Sequence, residues 1–429
     1  MRIENVDDLH SKILSELENT QISQFSEFDI SKLLYNQIYY ALTRGDAFLI
    51  KTIIASVFFD REVITYKNNG SDLLFYSEVF NRKDHDGYWH KIRDLFNKSN
   101  ILQIDNLGKG KSLECFKPLK LFKKIKFLSR FNKKLCFVDI RLVRFFLSAQ
   151  LVWFYEFYNK LNKLELSPKV AVCFCDAVFH ESLMVQWLKN RNIVTITNQH
   201  GQPLLRDKNS DRLNQSQILN FNSDYILVKG EFTKRQYLKA GIDENRIIVV
   251  GDLVSPHFNY IDRKSFGRFA VFLDSPSYLF SNDTNRSLLL FAEEISNKMN
   301  LTYVVKLHPS DDEKRYVNYN CEFVDKNTTL SDLFDMIDFG IFSASAIYID
   351  MISHSVKAYQ HCDVEFPIVE NRNDIANDFD DFEIKYNNWL NMDSQERKIY
   401  LETSYNTYFA DMDASKEIYN FITMKCEEN

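Results

Sequence analysis

The chain has 429 residues, 45% of them hydrophobic, and a formal net charge of −6. That length exceeds one ordinary domain, and that apolar content builds packed cores rather than disorder. The mildly acidic balance gives no bulk attraction for nucleic acid, so none is expected as a partner.

Leu9, Ile13, Leu14 and Leu17 recur at helical spacing, and residues 30–59 continue in that style. Residues 61–105 mix strand signals (Val63 to Tyr66) with helical ones (Tyr88 to Phe96). Residues 108–134 carry ten Lys and Arg against one Glu, interleaved with Leu119, Phe122, Ile125 and Phe131. On a helix this pattern gives an apolar face flanked by ammonium groups. It suits either an anionic membrane surface or packing on its own domain.

A long aromatic helix over 142–161 leads to a strand, 170–175, that ends at Asp176. A helix and a second strand, 193–197, follow, and the strand runs into Asn198-Gln199-His200-Gly201. Strand, helix and strand in roughly thirty residues make a parallel βαβ unit. A third strand, 225–228, meets Lys229-Gly230-Glu231. The next helix stops at Gly241, and a last strand, 246–250, closes this half. Residues 252–268, with Pro256, read as a connection between domains. Beyond it, strands at 269–273, 301–307, 322–324, 339–342 and 356–359 alternate with helices. The tail, 370–429, is polar and helical, and its last helix is a candidate to cross back to the first domain. The predicted class is α/β. It comprises a domain over 1–255 with a helical N-terminal extension, and a second doubly wound domain over 256–429.

The seven cysteines show no metal or disulfide spacing, so free thiols in a reducing compartment are expected. Alternation would point Cys173 and Cys175 to one face. The N-terminus lacks the apolar core of a secretory signal, and no apolar run approaches the ~18 residues of a spanning helix. The expected location is the cytoplasm, with attachment to the inner face of the membrane open.

The chemistry gathers at strand ends. Proline at 309 donates no backbone hydrogen bond and fixes its own φ, so the strand before it must stop. Lys306 and His308 fall on one side by alternation, a pairing suited to a nucleotide phosphate. Ser343 and Ser345 lie at a strand-to-helix turn, where small residues allow an anion close to backbone amides. Ser345 is equally a plain helix cap. Gly201 permits a sharp turn beside Gln199, and His200 there is a candidate base. Asp176 is the other candidate base. Glu181 would cap a helix or orient His200. Gly230 and Glu231 are candidates to meet a sugar. Asp311-Asp312 is an acidic pair among solvated charges. The chain contains no phosphate-loop, zinc-protease or paired-cysteine metal motif, and no metal is expected.

The run Ser223 to Glu231, then Ala240-Gly241-Ile242 and Arg246 to Gly251, resembles the end of the N-terminal domain of GT-B glycosyltransferases. Gln199-His200-Gly201, and Lys306-Leu307-His308-Pro309 with Ser343 and Ser345, are similar to motifs in bacterial surface-polysaccharide enzymes. These include capsule glycosyltransferases, sialyltransferases, polysialyltransferases and teichoic-acid glycerophosphotransferases. The resemblance covers roughly residues 170–362. It implies two Rossmann-like domains facing a cleft, an acceptor in the first and a CMP- or UDP-linked sugar donor in the second. It implies His308 on the donor phosphate and His200 as the catalytic imidazole. The sialyltransferases use a carboxylate near the place of Asp176 instead, in a motif that Cys175-Asp176-Ala177 matches only in part. The implied activity is metal-independent, inverting sugar transfer to a glycan or lipid-linked acceptor, without a cofactor. Polyol-phosphate transfer, nucleotide-sugar epimerisation and a non-enzymatic binding role are the alternatives.

Overall fold

The computed structural model describes residues 6–59, 62–78, 83–106, 118–177, 179–199, 201–205, 212–254, 258–263, 265–275, 281–309, 311–319, 321–343, 345–361 and 369–429. The chain divides into two compact units. Unit 1 holds Met1–Val228, Thr233–Leu253 and Asp413–Asn429. Unit 2 holds Lys229–Phe232 and Val254–Met412.

Unit 1 is built on a seven-stranded sheet. Its strands are β1 (Glu62–Lys67), β2 (Leu73–Glu78), β3 (Asn100–Asn106), β4 (Val170–Cys173), β5 (Val194–Asn198), β6 (Tyr225–Val228) and β7 (Ile247–Val249). Their order is β1-β3-β2-β4-β5-β6-β7, and only the β1–β3 pair is antiparallel. Successive side chains of a strand point to opposite faces, so one apolar run serves two cores. Leu74 and Tyr76 join Ala171 and Cys173 in a core on one face. That core is filled by α1 (Val6–Glu18), α2 (Ile30–Thr43), α6 (Arg141–Leu161) and α7 (Phe179–Lys189). Leu73 and Phe75 join Val170 and Val172 on the other face. There α4 (Lys83–Arg93) supplies Trp89 and Ile92, and α15 (Ala414–Glu428) supplies Ile418 and Ile422. The mixed signals over 61–105 resolve into β1, β2, α4 and β3, and the three strands complete this sheet.

The two cysteines of the C-x-C pair part company. Cys173 lies in one core and Cys175 in the opposite one. The strand stops at Cys173, so alternation does not extend to Cys175. Burial first, then the charges of Asp176 and Glu181, pushes the Cys173 thiol well up. Such a thiol is a poor nucleophile.

Unit 2 carries a six-stranded, all-parallel sheet of β8 (Arg268–Phe272), β9 (Thr302–Lys306), β10 (Glu322–Phe323), β11 (Phe339–Phe342), β12 (Lys357–His361) and β13 (Ile375–Ala376). The order is β10-β9-β8-β11-β12-β13. β8, β9 and β10 run outward in one direction, and β11 returns to the other flank of β8. The chain thus reverses direction between β8 and β11, the place where open α/β sheets take ligands. β11 and β12 are buried along their whole length, as strands covered on both faces must be. α10 (Ser281–Met299) and α13 (Phe379–Asn391) pack Leu288, Ile295, Phe382 and Tyr386 on one face. α12 (Ile347–Ser353) lies so close to the other that a Cβ on Gly340 would meet the Met351 sulfur.

Local signals explain the helix ends. Asp29 caps α2 by accepting from the Ser31 and Lys32 amides. Thr329 and Asp332 form a capping box on α11 (Leu330–Phe334). Asp393 and Glu396 do the same on α14 (Ser394–Tyr408). Gly241, with φ +82°, takes the left-handed turn just past α9 (Glu231–Lys239). Among the described residues, no helix is long and apolar enough to cross a membrane.

Candidate functional site

Strand register sets the geometry of unit 2. Lys306 on β9 pairs with Phe272 on β8, Phe272 with Phe342 on β11, and Phe342 with Gln360 on β12. These four residues form one row across the carboxyl edge of the sheet. His308 lies two residues beyond the row on β9, and Ser343 one residue beyond it on β11. One strand separates them, so they flank the end of β8 at about 10 Å, two strand spacings. That distance suits the phosphates of a nucleotide.

His308 and Lys306 are half-buried, and Pro309 is exposed. The Lys306 ammonium donates to the Thr328 carbonyl at 3.2 Å. Burial lowers its pKa, and the Asp325 charge opposes that shift. The Ser343 carbonyl accepts from Gln360 Nε2 at 2.6 Å. Ser345 Oγ accepts from the Ile347 amide at 3.3 Å, a short turn at the start of α12. Ser310 and Ala344 lie outside the described residues.

A polar network that the sequence did not disclose holds these ends. Asn285 of α10 donates to the Asp274 carbonyl and accepts from the Asp274 amide, which fixes the turn after β8. Asn285 also donates to Tyr316 Oη at 3.0 Å. Tyr316 donates to Asp311 at 2.7 Å, and the Asp311 amide donates to the His308 carbonyl. The turns after β8 and β9 are thereby tied into one piece. Asp311 is 6% exposed, so it is a buried strut rather than part of a solvated acidic pair. Polar residues within a helix or loop give no periodic signal, and partners 11 and 31 positions apart are invisible to local pattern.

Burial works to raise the Asp311 carboxyl pKa. Hydrogen bonds from Tyr316, the Asp312 amide and Arg315 outweigh that effect and hold it below the usual range. The stability it contributes is present above the ordinary carboxylate pKa and is lost as pH falls through the lowered one. Asp311→Asn is therefore expected to melt earlier than the parent at neutral pH. The gap should narrow as pH drops below about 4. Melting curves across pH check this, and a gap independent of pH would refute the electrostatic account.

In unit 1, Tyr76, Cys173, Thr197, Ile226 and Ile247 form the corresponding row. Gln199 follows β5 and is buried. It donates to the Gly201 carbonyl at 2.9 Å, closing a turn in which Gly201 has φ +74°. His200 lies outside the described residues.

Asp176 follows β4 and is 2% exposed. Its Oδ2 accepts from the amides of Asn222 at 2.8 Å and Ser223 at 2.5 Å, so the carboxylate holds the turn before β6. Burial raises its pKa, against the pull of those amides and of Lys32. Around it, Lys32 donates to the Phe221 carbonyl, and Asn36 and Asn220 both donate to the Ala177 carbonyl. Glu181 is buried in the first turn of α7. Glu231 opens α9 and is exposed. Gly230 is buried beside Tyr408, where a Cβ would strike the Tyr408 carbonyl.

No family model matches the chain, and no curated protein matches its sequence. Solved structures do match. The UDP-GlcNAc 2-epimerase of Methanocaldococcus jannaschii, in complex with UDP-GlcNAc and UDP, is 13% identical. It covers 82% of this chain and 99% of its own, with a TM-score of 0.51. The Neisseria meningitidis UDP-GlcNAc 2-epimerase, bound to UDP-GlcNAc, is 12% identical over 82% of this chain and 99% of its own, with a TM-score of 0.50. The wall teichoic acid polymerase TagF covers 99% of this chain and 98% of its own at 12% identity, with a TM-score of 0.45. At such identities the likeness is one of fold, and the fold is α/β with two Rossmann-like units, the GT-B plan.

Proposed function

We propose that the chain is a metal-independent, inverting glycosyltransferase that uses a nucleotide-activated sugar and a glycan or lipid-linked acceptor in surface-polysaccharide synthesis. The observation carrying this reading is the carboxyl edge of unit 2. There a cation and an imidazole on one strand and two hydroxyls on another flank β8, beside the point where the sheet reverses direction. The epimerases of the same fold bind UDP-GlcNAc and UDP, which supports UDP as the donor nucleotide.

In the proposed reaction, a base in unit 1 takes the proton of an acceptor hydroxyl. The oxygen attacks the anomeric carbon of the donor. The bond from that carbon to the phosphate oxygen breaks, and its electron pair leaves with the nucleotide. Lys306, His308 and the hydroxyls of Ser343 and Ser345 meet the charge growing on the leaving phosphate, so their contacts strengthen in the transition state. His200 is the proposed base. Asp176 is a weaker choice, since its Oδ2 already accepts two backbone amides.

Thermal melting with CMP, UDP, GDP and CDP tests the donor site. UDP is expected to stabilise the parent protein, and His308→Ala to remove most of that shift. Equal stabilisation of both proteins would take His308 out of the site. Epimerisation is the second reading, favoured by the same neighbours. Turnover of a nucleotide sugar without acceptor would establish it, and a phosphodiester product would point to polyol-phosphate transfer.

A further inference from the structure

Unit 1 carries an apolar surface that stays exposed among the described residues. α3 (Asp46–Phe58) and α5 (Pro118–Lys134) both pack on α6 and touch each other, so their outer sides face the same way. A helix apolar all round is normally buried. α3 is such a helix, with only Asp46 and Lys51 charged, yet Phe48, Ile50 and Ile54 are 43%, 49% and 45% exposed. On α5, Leu119, Phe122 and Ile125 are 81%, 68% and 47% exposed.

The cations beside this patch are sorted by position. Lys124 is the buried cation of α5. It pairs with Glu156 of α6 at 2.6 Å and donates to the Phe59 carbonyl just past α3, which staples the two helices together. At about 100° per residue, Lys123, Lys126, Arg130 and Lys133 project outward along α5, next to Phe122. Between α5 and α6 runs a groove of about 760 Å³, lined by seven Lys and Arg side chains and a single carboxylate, Glu156. Glu156 is already engaged by Lys124 and Lys120. The groove is thus strongly cationic and borders the apolar patch.

We infer that the outer faces of α3 and α5 dock unit 1 on an anionic phospholipid bilayer, with apolar side chains entering the interface and lipid phosphates occupying the groove. The pairing of chemistries selects this occupant. Seven cations and no acid on α5 make the face repel a second copy of itself across a two-fold axis. Contiguous exposed Phe, Ile and Leu are what a bilayer interface takes and a nucleic-acid backbone does not. Each Lys or Arg near an anionic leaflet strengthens the attraction, and the apolar insertion adds to it. The basic segment read from sequence is one half of this surface, and α3 is the other.

The test is flotation of the full chain with vesicles of phosphatidylcholine alone or with about one third phosphatidylglycerol. Binding is expected only to the anionic vesicles, and it should weaken as salt rises. Ile50→Ser/Ile54→Ser should reduce the bound fraction at least tenfold. Lys123→Glu/Lys126→Glu/Arg130→Glu should do the same. All five positions are exposed, so both variants should keep the parent melting temperature. Absence of binding at low salt, equal binding to neutral vesicles, or undiminished binding of the apolar variant would overturn the assignment. So would a parent protein that elutes as a dimer and an apolar variant that elutes as a monomer.

Discussion

Lys357→Met is expected to cost about 3–5 kcal/mol of stability while leaving the proposed nucleotide binding intact. Lys357 and Asp374 are both 3% exposed at their side chains and form an ion pair. Tyr348 donates to Asp374 Oδ2 at 2.7 Å, Tyr400 donates to Oδ1 at 2.6 Å, and Lys357 donates to Tyr400 Oη at 2.9 Å. The rings of Tyr400 and Tyr359 lie 4.1 and 4.8 Å from the ammonium. Burial pulls the lysine pKa down, and Asp374 opposes the pull. Removing the lysine leaves a carboxylate in an apolar site held, among the described side chains, by the Tyr348 and Tyr400 hydroxyls. Pairing the change with Asp374→Asn removes the stranded charge and keeps an acceptor, so the double variant should recover most of the loss. Lys357 begins β12, whereas the row of Lys306 and Phe342 lies at the opposite, carboxyl edge. Denaturant unfolding and the UDP shift therefore report separate things here. If the single variant loses both in parallel, the pair and the site are coupled. If it loses neither, the pair is not structural.

What sequence pattern revealed follows from how far each signal reaches. The strand before His308-Pro309 is legible because an apolar run and a proline are both local. The βαβ order from 170 to 250 was legible for the same reason, since parallel strands buried on two faces are continuous apolar runs. β2 and β3 were harder to read. Leu73 to Ser77 is a short run, and its neighbours in the sheet, β3 and β4, lie far along the chain. The exposure of α3 was not legible at all. A helix without a polar face reads as buried, and only the fold shows that its outer side meets no other element among the described residues. From sequence, Asp176 reads as a candidate base at a strand end and Asp311 as one of an acidic pair among solvated charges. Asp176 accepts from the amides of Asn222 and Ser223, a chain segment brought to it in three dimensions, while Asp311 accepts from its near neighbours Arg315 and Tyr316, and Tyr316 in turn is tied to the distant Asn285. Lys124 is the same case among cations: one of ten in its segment, drawn inward by its salt bridge to Glu156.

Gly230→Ala tests a further case, in which a glycine at a strand end suggests room for a ligand and the structure gives it another reason. Gly230 sits against the end of α14. An added Cβ would meet the Tyr408 carbonyl and approach Phe409 Cα at 3.0 Å. Both obstacles are backbone, and both are held. The Ala410 amide donates to the Lys229 carbonyl at 2.9 Å, the Phe409 amide donates to the Tyr405 carbonyl, and the Tyr408 ring packs on Phe232 with centroids 4.8 Å apart. A flexible side chain could swing aside, but this segment cannot move without breaking those bonds. The expected cost is about 3 kcal/mol, the upper part of the range for overpacking. Gly87→Ala provides the contrast. It lies exposed within α4 with nothing within 4 Å of the new Cβ, so the same substitution should stabilise by up to about 1 kcal/mol. Chemical denaturation of the two variants decides the matter. If Gly230→Ala unfolds at the parent's midpoint but loses the UDP shift, the glycine serves the ligand; a large loss of stability assigns it to the close approach of Tyr408.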